Sequence, residues 1–187
     1  VTRAIARGEW LTRGPVRLRL AEETDCTDRY LGWLEDPEIN RYLETRWTAQ
    51  TLDGIRDFVR GMLVNPHSYL FAIVIGTEHI GNIKLGPIVS HHDYADVSYF
   101  VGERSAWGKG FASTAVRLVT NFGFDRLGLH RLQAGFYASN TASQRVLEKA
   151  GYAPDGRLAA QLRLTANGPW EDHVWYAALR DTWDESR

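Results

Sequence analysis

Cysteine occurs once in the 187 residues, at Cys26. A lone thiol excludes an internal disulfide framework and any multi-cysteine metal site, so Cys26 reads as a small apolar side chain in or near a helix. No apolar run approaches the roughly 20 residues that a helix needs to cross a bilayer. An excess of charge is missing too: 22 Lys and Arg against 23 Asp and Glu leave a net charge of -1. A balanced chain sets up no whole-molecule field for gathering nucleic acid or an anionic membrane, so neither is expected as a partner. The opening VTRAIARGEWLTRG has a positive start but neither an apolar core nor a small-residue cleavage site, which makes the cytoplasm the default expectation. No repeat or low-complexity tract divides the chain. Residues 1–15 read as an N-terminal extension and 16–187 as a single domain.

What is present is ordinary for a folded chain, at 44% hydrophobic residues, seven tryptophans among them. VRLRL alternates apolar and charged side chains, which predicts a first strand over Val16 to Leu20. Tyr30, Leu31 and Leu34 have helical spacing, and Pro37 ends that helix. Leu52, Ile55, Val59 and Met62 share one face of a second helix, with Thr48 or Thr51 as its N-cap. YLFAIVI and IGNIKLG, joined by GTEH, predict a hairpin, and DVSYFVG a further strand. Helices follow from Gly110 to about Phe124 and after Asn140 or Thr141, where Gln144 completes a capping box and Gly151 suits the C-terminal position. RLQAGFYA lies between them as a strand, and two closing strands around an Asn-Gly turn end the chain. Strands and helices alternate, so the fold class is α+β or α/β.

Between DVSYFVG and the third helix lies SAWGKGFAS, with Gly108 and Gly110 around Lys109. A helix N-terminus leaves several amides unpaired and carries partial positive charge. Glycines there let a phosphate approach the main chain without a Cβ in the way. A Walker loop is excluded, because Gly110 stands where Ser or Thr must follow the lysine. The dinucleotide fingerprint is excluded as well, since its third glycine falls on Ser113. An ordinary strand-to-helix turn remains the alternative.

Together, SYFVGERSAWGKGFASTAVRLVTNFGF and HRLQAGFYASNTASQRVLEKAGYAPDGRL resemble the GNAT superfamily of acetyl-CoA-dependent N-acetyltransferases. The similarity is strongest to the branch that includes the bacterial enzymes acetylating the N-termini of ribosomal proteins. It runs from about Val16 to Trp183, with its core at Asp96 to Gly156. One departure is Ser105, where the superfamily's loop has Gln or Arg. The resemblance implies a mixed, mostly antiparallel sheet with splayed fourth and fifth strands and helices on both faces. It implies acetyl-CoA as cosubstrate, a primary amine as acceptor and no metal, and it leaves a homodimer open.

By this resemblance the coenzyme's pyrophosphate rests on the amides of Trp107, Gly108, Lys109, Gly110, Phe111 and Ala112, with the Lys109 side chain as an added point charge. The pantetheine arm pairs like an extra strand with the backbone of Tyr99, Phe100 and Val101, and Asn140 reaches it from the far side. Arg145 and Lys149 meet the ribose phosphate or are solvated helix charges. Attack of an amine on the thioester needs a route for the ammonium proton, donors for the oxyanion and a proton for the thiolate. An amide near Val101 is the implied oxyanion donor. The tyrosine that many members use for the thiolate falls on Leu147, so Ser143, at the serine position of this branch, takes that role or simply satisfies its helix. For the base, Asp96 matches a carboxylate found in some members, while Glu44, Glu171 and His173 line the acceptor side or serve in exposed ion pairs. The glutamate of a later strand falls near Leu162 and is not carried over. His91, His92 and Asp93 are adjacent on extended chain, point apart and make a poor chelate. Trp33, Trp47, Tyr42 and Trp170 wall an acceptor pocket or pack the core.

A peptide N-terminal α-amine is the expected acceptor. Its pKa of about 7.7–8.0 leaves a sizeable neutral fraction near pH 7, whereas a lysine amine near 10.4 needs roughly 3–4 kcal/mol more help. An amino sugar or other small amine and a non-catalytic acyl-CoA-binding module remain as alternatives.

Overall fold

The computed structural model describes residues 4–184. The outermost three residues of the expected extension, and of the domain that follows it, lie outside the described residues.

Among the described residues the eight strands are β1 (Leu11–Arg13), β2 (Val16–Leu20), β3 (Tyr69–Ile75), β4 (Glu78–Val89), β5 (Tyr94–Val101), β6 (Arg131–Tyr137), β7 (Ala153–Leu162) and β8 (Glu171–Leu179). The helices are α1 (Asp28–Glu35), α2 (Leu52–Val64), α3 (Phe111–Asp125) and α4 (Thr141–Ala150). One sheet holds all the strands in the order β1-β2-β3-β4-β5-β6-β8-β7. Every neighbouring pair is antiparallel except β5 and β6, which run parallel because α3 carries the chain across between them.

Strand periodicity divides the core in two. Phe71, Ile73, Val97 and Leu132 face α3 and α4, packing against Val116, Val119 and Leu147. Leu70 and Phe100 face the other way, with Tyr30 and Trp33 of α1 and Ile55 and Val59 of α2. Helices therefore cover both faces, and the mixed sheet expected from the sequence is present. Cys26 is buried at the entry to α1.

Local chemistry sets the helix ends. Thr51 caps α2 by accepting from the Gly54 amide, and Gly151 closes α4 at a φ of +102°. The expected capping box of α4 does not form: Asn140 is the N-cap, and Gln144 donates to Glu148 one turn on instead. Part of the expected N-terminal extension lies in the sheet, since Leu11 to Arg13 pair with Val16 to Leu18 and Ile5 packs into the larger core.

Candidate active site

The expected fourth and fifth strands are β5 and β6, and they separate early. Only Tyr94, Ala95 and Asp96 pair with Arg131, Leu132 and Gln133. Beyond them β5 stays on β4 while β6 stays on β8, so a gap opens from Val97 and Ala134 outward. The Asp93 carbonyl accepts from the His130 amide on the β6 side, and the Gly102 amide donates to Ile80 on the β4 side. Alternation therefore turns the backbone of Val97, Tyr99 and Val101 into the gap. The same alternation corrects the expectation for Phe100. Its main chain faces β4 and its side chain packs beside Tyr30 and Trp33. At the open end the Val101 carbonyl is not free, because the Trp107 indole donates to it at 2.8 Å.

The glycine turn lies just past that end. Gly108 has a φ of +73° with nothing within 4 Å of a Cβ placed on it, and Gly110 has a φ of +81° and caps α3 without any side-chain bond. The turn is a bare concavity at the start of a 15-residue helix, the geometry that favours an anion. Lys109 is exposed beside it. Lys149, left open in the sequence as a solvated charge, holds its Nζ 3.0 Å from the Cβ position of Gly110. Arg145, one turn earlier on α4, is exposed.

On the α3 and α4 side of the gap, Asn140 caps α4 by accepting from the Ser143 amide at 3.0 Å. That cap places the Ser143 hydroxyl 2.9 Å from the hydroxyl of Tyr99 on β5. Burial pushes the Tyr99 phenol far above its ordinary value, so it stays protonated. The Tyr99 side chain is a contributor that sequence reasoning missed, having weighed only its backbone. Leu147, one turn beyond Ser143, is fully buried in the core.

The opposite face carries a separate polar group. Asp96 accepts from Gln133 Nε2 at 2.8 Å, at the last pair before the gap. Glu44 Oε1 accepts from the Tyr137 hydroxyl at 2.6 Å, and its Oε2 from the Trp47 indole at 3.0 Å. Arg46, with its side chain only 10% exposed, donates to Tyr137 and to the carbonyls of Leu43, Arg163 and Leu164. Those carbonyls belong to the turn before α2 and to the β7–β8 loop, so a single guanidinium holds both against β6. His173 is opposite Tyr137 in register and lies across Gly135, where a Cβ would overlap its Nε2. Burial lowers the His173 pKa below its ordinary value, and the Glu44 and Asp96 carboxylates oppose that shift.

The aromatic wall is smaller than the sequence suggested. Trp33 is a core residue lying on Gly102, whereas Tyr42 packs against Tyr137. Trp47 and Trp170 are exposed, each carrying an arginine over its ring, Arg46 and Arg163 respectively. Glu171 accepts from the Ser139 amide at 3.0 Å. Among the described residues no group of three or more His, Cys, Asp or Glu side chains could hold a metal ion, and no helix is long and apolar enough to cross a membrane.

A family model for the acetyltransferase (GNAT) domain matches residues 16–153. "Probable N-acetyltransferase YjcK" of Bacillus subtilis is 38% identical over 120 residues, which are 63% of this chain and 65%, just under two thirds, of that protein. Among solved structures, a complex of coenzyme A with RimL, described as a ribosomal L7/L12 alpha-N-protein acetyltransferase, superposes with a TM-score of 0.82 at 18% identity. The match covers 94% of this chain and all of that one. Spermidine N-acetyltransferase from Vibrio cholerae, in complex with CoA and spermine, gives 0.78 at 20% identity over 89% and 96% of the two chains. At such identities the likeness is one of fold.

Proposed function

The chain belongs to the acetyltransferase (GNAT) family, and on that premise we propose that it transfers an acetyl group from acetyl-CoA to a primary amine by direct attack in a ternary complex. The observation that carries this reading is the parting of β5 and β6 beyond Asp96 and Gln133, with an uncapped helix N-terminus at its open end. The pyrophosphate would take the amides of the turn from Trp107 to Ala112, with Lys109 and Lys149 as nearby cations. The pantetheine arm would take the inward-facing backbone of Val97 and Tyr99, so that its thioester reaches toward the closed end of the gap.

The two faces of the sheet then divide the chemistry. On one, Ser143 and Tyr99 form a hydroxyl pair able to protonate the departing thiolate. Asp96, Glu44 and His173 lie on the other, where the amine would enter. We favour a peptide N-terminal α-amine. A polyamine carries several positive charges, whereas Asp96, Glu44 and Glu171 are each already held by donors of the protein. An α-amine also needs less help in losing its proton than an alkylamine of lysine type.

Thiol release from acetyl-CoA, measured with a panel of peptides, spermidine and an amino sugar, tests the reading. Turnover is expected, fastest with a peptide α-amine. CoA binding without turnover on any amine would make the chain a binding module, and turnover confined to spermidine or the sugar would move the acceptor to a small amine.

A further inference from the structure

We propose that His173 is the group that takes the ammonium proton from the acceptor, through the Nε2 that lies over Gly135 where β5 and β6 part. The inference rests on the acetyl transfer proposed above and assigns the step that a carboxylate was expected to perform.

Three observations carry it. The first is position. β5 and β6 last pair at Asp96 and Gln133, and Gly135 is the next residue of β6 whose side-chain direction shares the face of Gln133. His173 occupies the space that a Cβ on Gly135 would fill, so its ring edge rests on bare main chain at the start of the gap. The second is the tautomer. His173 Nδ1 lies 2.8 Å from Gln161 Oε1. A carbonyl oxygen only accepts, so Nδ1 carries the hydrogen and Nε2 presents a lone pair. No protein donor or acceptor among the described residues bonds that Nε2.

The third is the alternative. Both expected carboxylates are engaged by donors of the protein, Asp96 by Gln133 and Glu44 by Tyr137 and Trp47. They are better placed to stabilise a cation than to take a proton. The charged and titratable groups facing His173 are Glu44 from the turn before α2, Asp96 from β5 and Tyr137 from β6, while Trp175 of its own strand packs at 4.6 Å. Burial keeps the ring neutral near pH 7, and the two carboxylates favour the imidazolium once it forms.

The step balances. Nε2 takes one proton from the ammonium, and the freed nitrogen lone pair attacks the thioester carbonyl carbon. The carbonyl re-forms as the C–S bond breaks, with its electron pair leaving on sulfur. Of the three ammonium hydrogens, one stays on the amide and one accounts for the hydrogen gained by the thiol through the Ser143 and Tyr99 hydroxyls. The third leaves through the imidazole to water.

The test is the pH profile of kcat/KM for the wild type and His173→Gln, on an amine that the panel shows to be turned over and from pH 5.5 to beyond that amine's own pKa, with CoA affinity measured by calorimetry. His173→Gln should bind CoA as the wild type does and lose about 10²-fold or more of kcat/KM at pH 7, in the range of a general base. That deficit should shrink by about tenfold once the pH passes the pKa of an α-amine, about 7.7–8.0, because the acceptor then arrives already neutral. A structural role would give a deficit that does not vary with pH, and that result, or no deficit, overturns the inference while leaving the proposed function intact. Gly135→Ala, which pushes the ring away, should reproduce the same pH-dependent loss, and wild-type rates from it would overturn the inference as well. A wild type that turns over no amine overturns both.

Discussion

Gly108 is held by two constraints at once, a φ of +73° and empty space where its side chain would begin. Gly108→Val should lower stability by about 1–2 kcal/mol, the strain of a left-handed conformation in an L residue. It should weaken CoA binding much more than that strain suggests, because the branched side chain fills the anion's place. Calorimetry on the folded variant reads both, and unchanged CoA affinity would remove the turn from the coenzyme site. Ser143 answers to a different readout. Ser143→Ala keeps the Asn140 cap, since the cap accepts from the residue 143 amide, and so should leave CoA affinity unchanged while slowing turnover by about 10²-fold. Equal turnover would take Ser143 out of the mechanism.

Elements tell how much of this was readable beforehand. Helices α2, α3 and α4 and strands β2, β3, β5 and β6 announce themselves by apolar period and end signals, because each buries one stripe or one face against a core. Strand β1 does not, since three residues at a sheet edge carry too little pattern to count. The glycine turn and Ser143 were legible because their partners are close in sequence, within one turn-to-helix junction or one helix. On the opposite face Asp96, Glu44, Glu171 and His173 were named from the sequence, but what they touch was not legible. Tyr137 meets Glu44 and Arg46 across 93 and 91 residues, and His173 reaches Gly135 only because β6 and β8 are neighbours. Arg46 tests whether that face is a unit. Arg46→Met strips the donor from the Leu43, Arg163 and Leu164 carbonyls and from Tyr137. The expected cost is about 1–3 kcal/mol of stability, with KM for the amine rising and CoA affinity unchanged. A rise in the CoA dissociation constant instead would show that the two faces are not separate.

At the scale of the whole molecule, the face formed by α1 and α2 is anchored by an ion pair. Asp25, 6% exposed, receives two bonds from Arg19, at 2.6 and 2.7 Å. Burial pushes the Asp25 pKa up, but the Arg19 hydrogen bonds, the Glu22 amide and the charges of Arg19 and His79 outweigh it and hold the carboxyl below its ordinary value. A carboxyl depressed in the folded state stabilises above its unfolded pKa, near 3.9, and loses that contribution as pH falls through the lower folded value. Acid unfolding below about pH 4 should therefore be less steep in Asp25→Asn, a variant expected to cost about 3 kcal/mol at pH 7 by leaving Arg19 unpaired. Denaturant titrations at pH 3 and pH 7 check this, and equal losses at both would contradict it. The pair lies away from the gap, so the variant leaves the proposed chemistry untouched while reporting on the scaffold. The scaffold's central task is to hold β5 and β6 apart beyond Asp96 and Gln133 with a bare helix N-terminus at the open end. A crystal structure of the protein with acetyl-CoA tests this most directly. The account predicts diphosphate oxygens on the amides between Trp107 and Ala112 and the arm bonded to inward-facing β5 backbone, its thioester between Ser143 and His173. Coenzyme lying outside the gap, with that turn untouched, would contradict it.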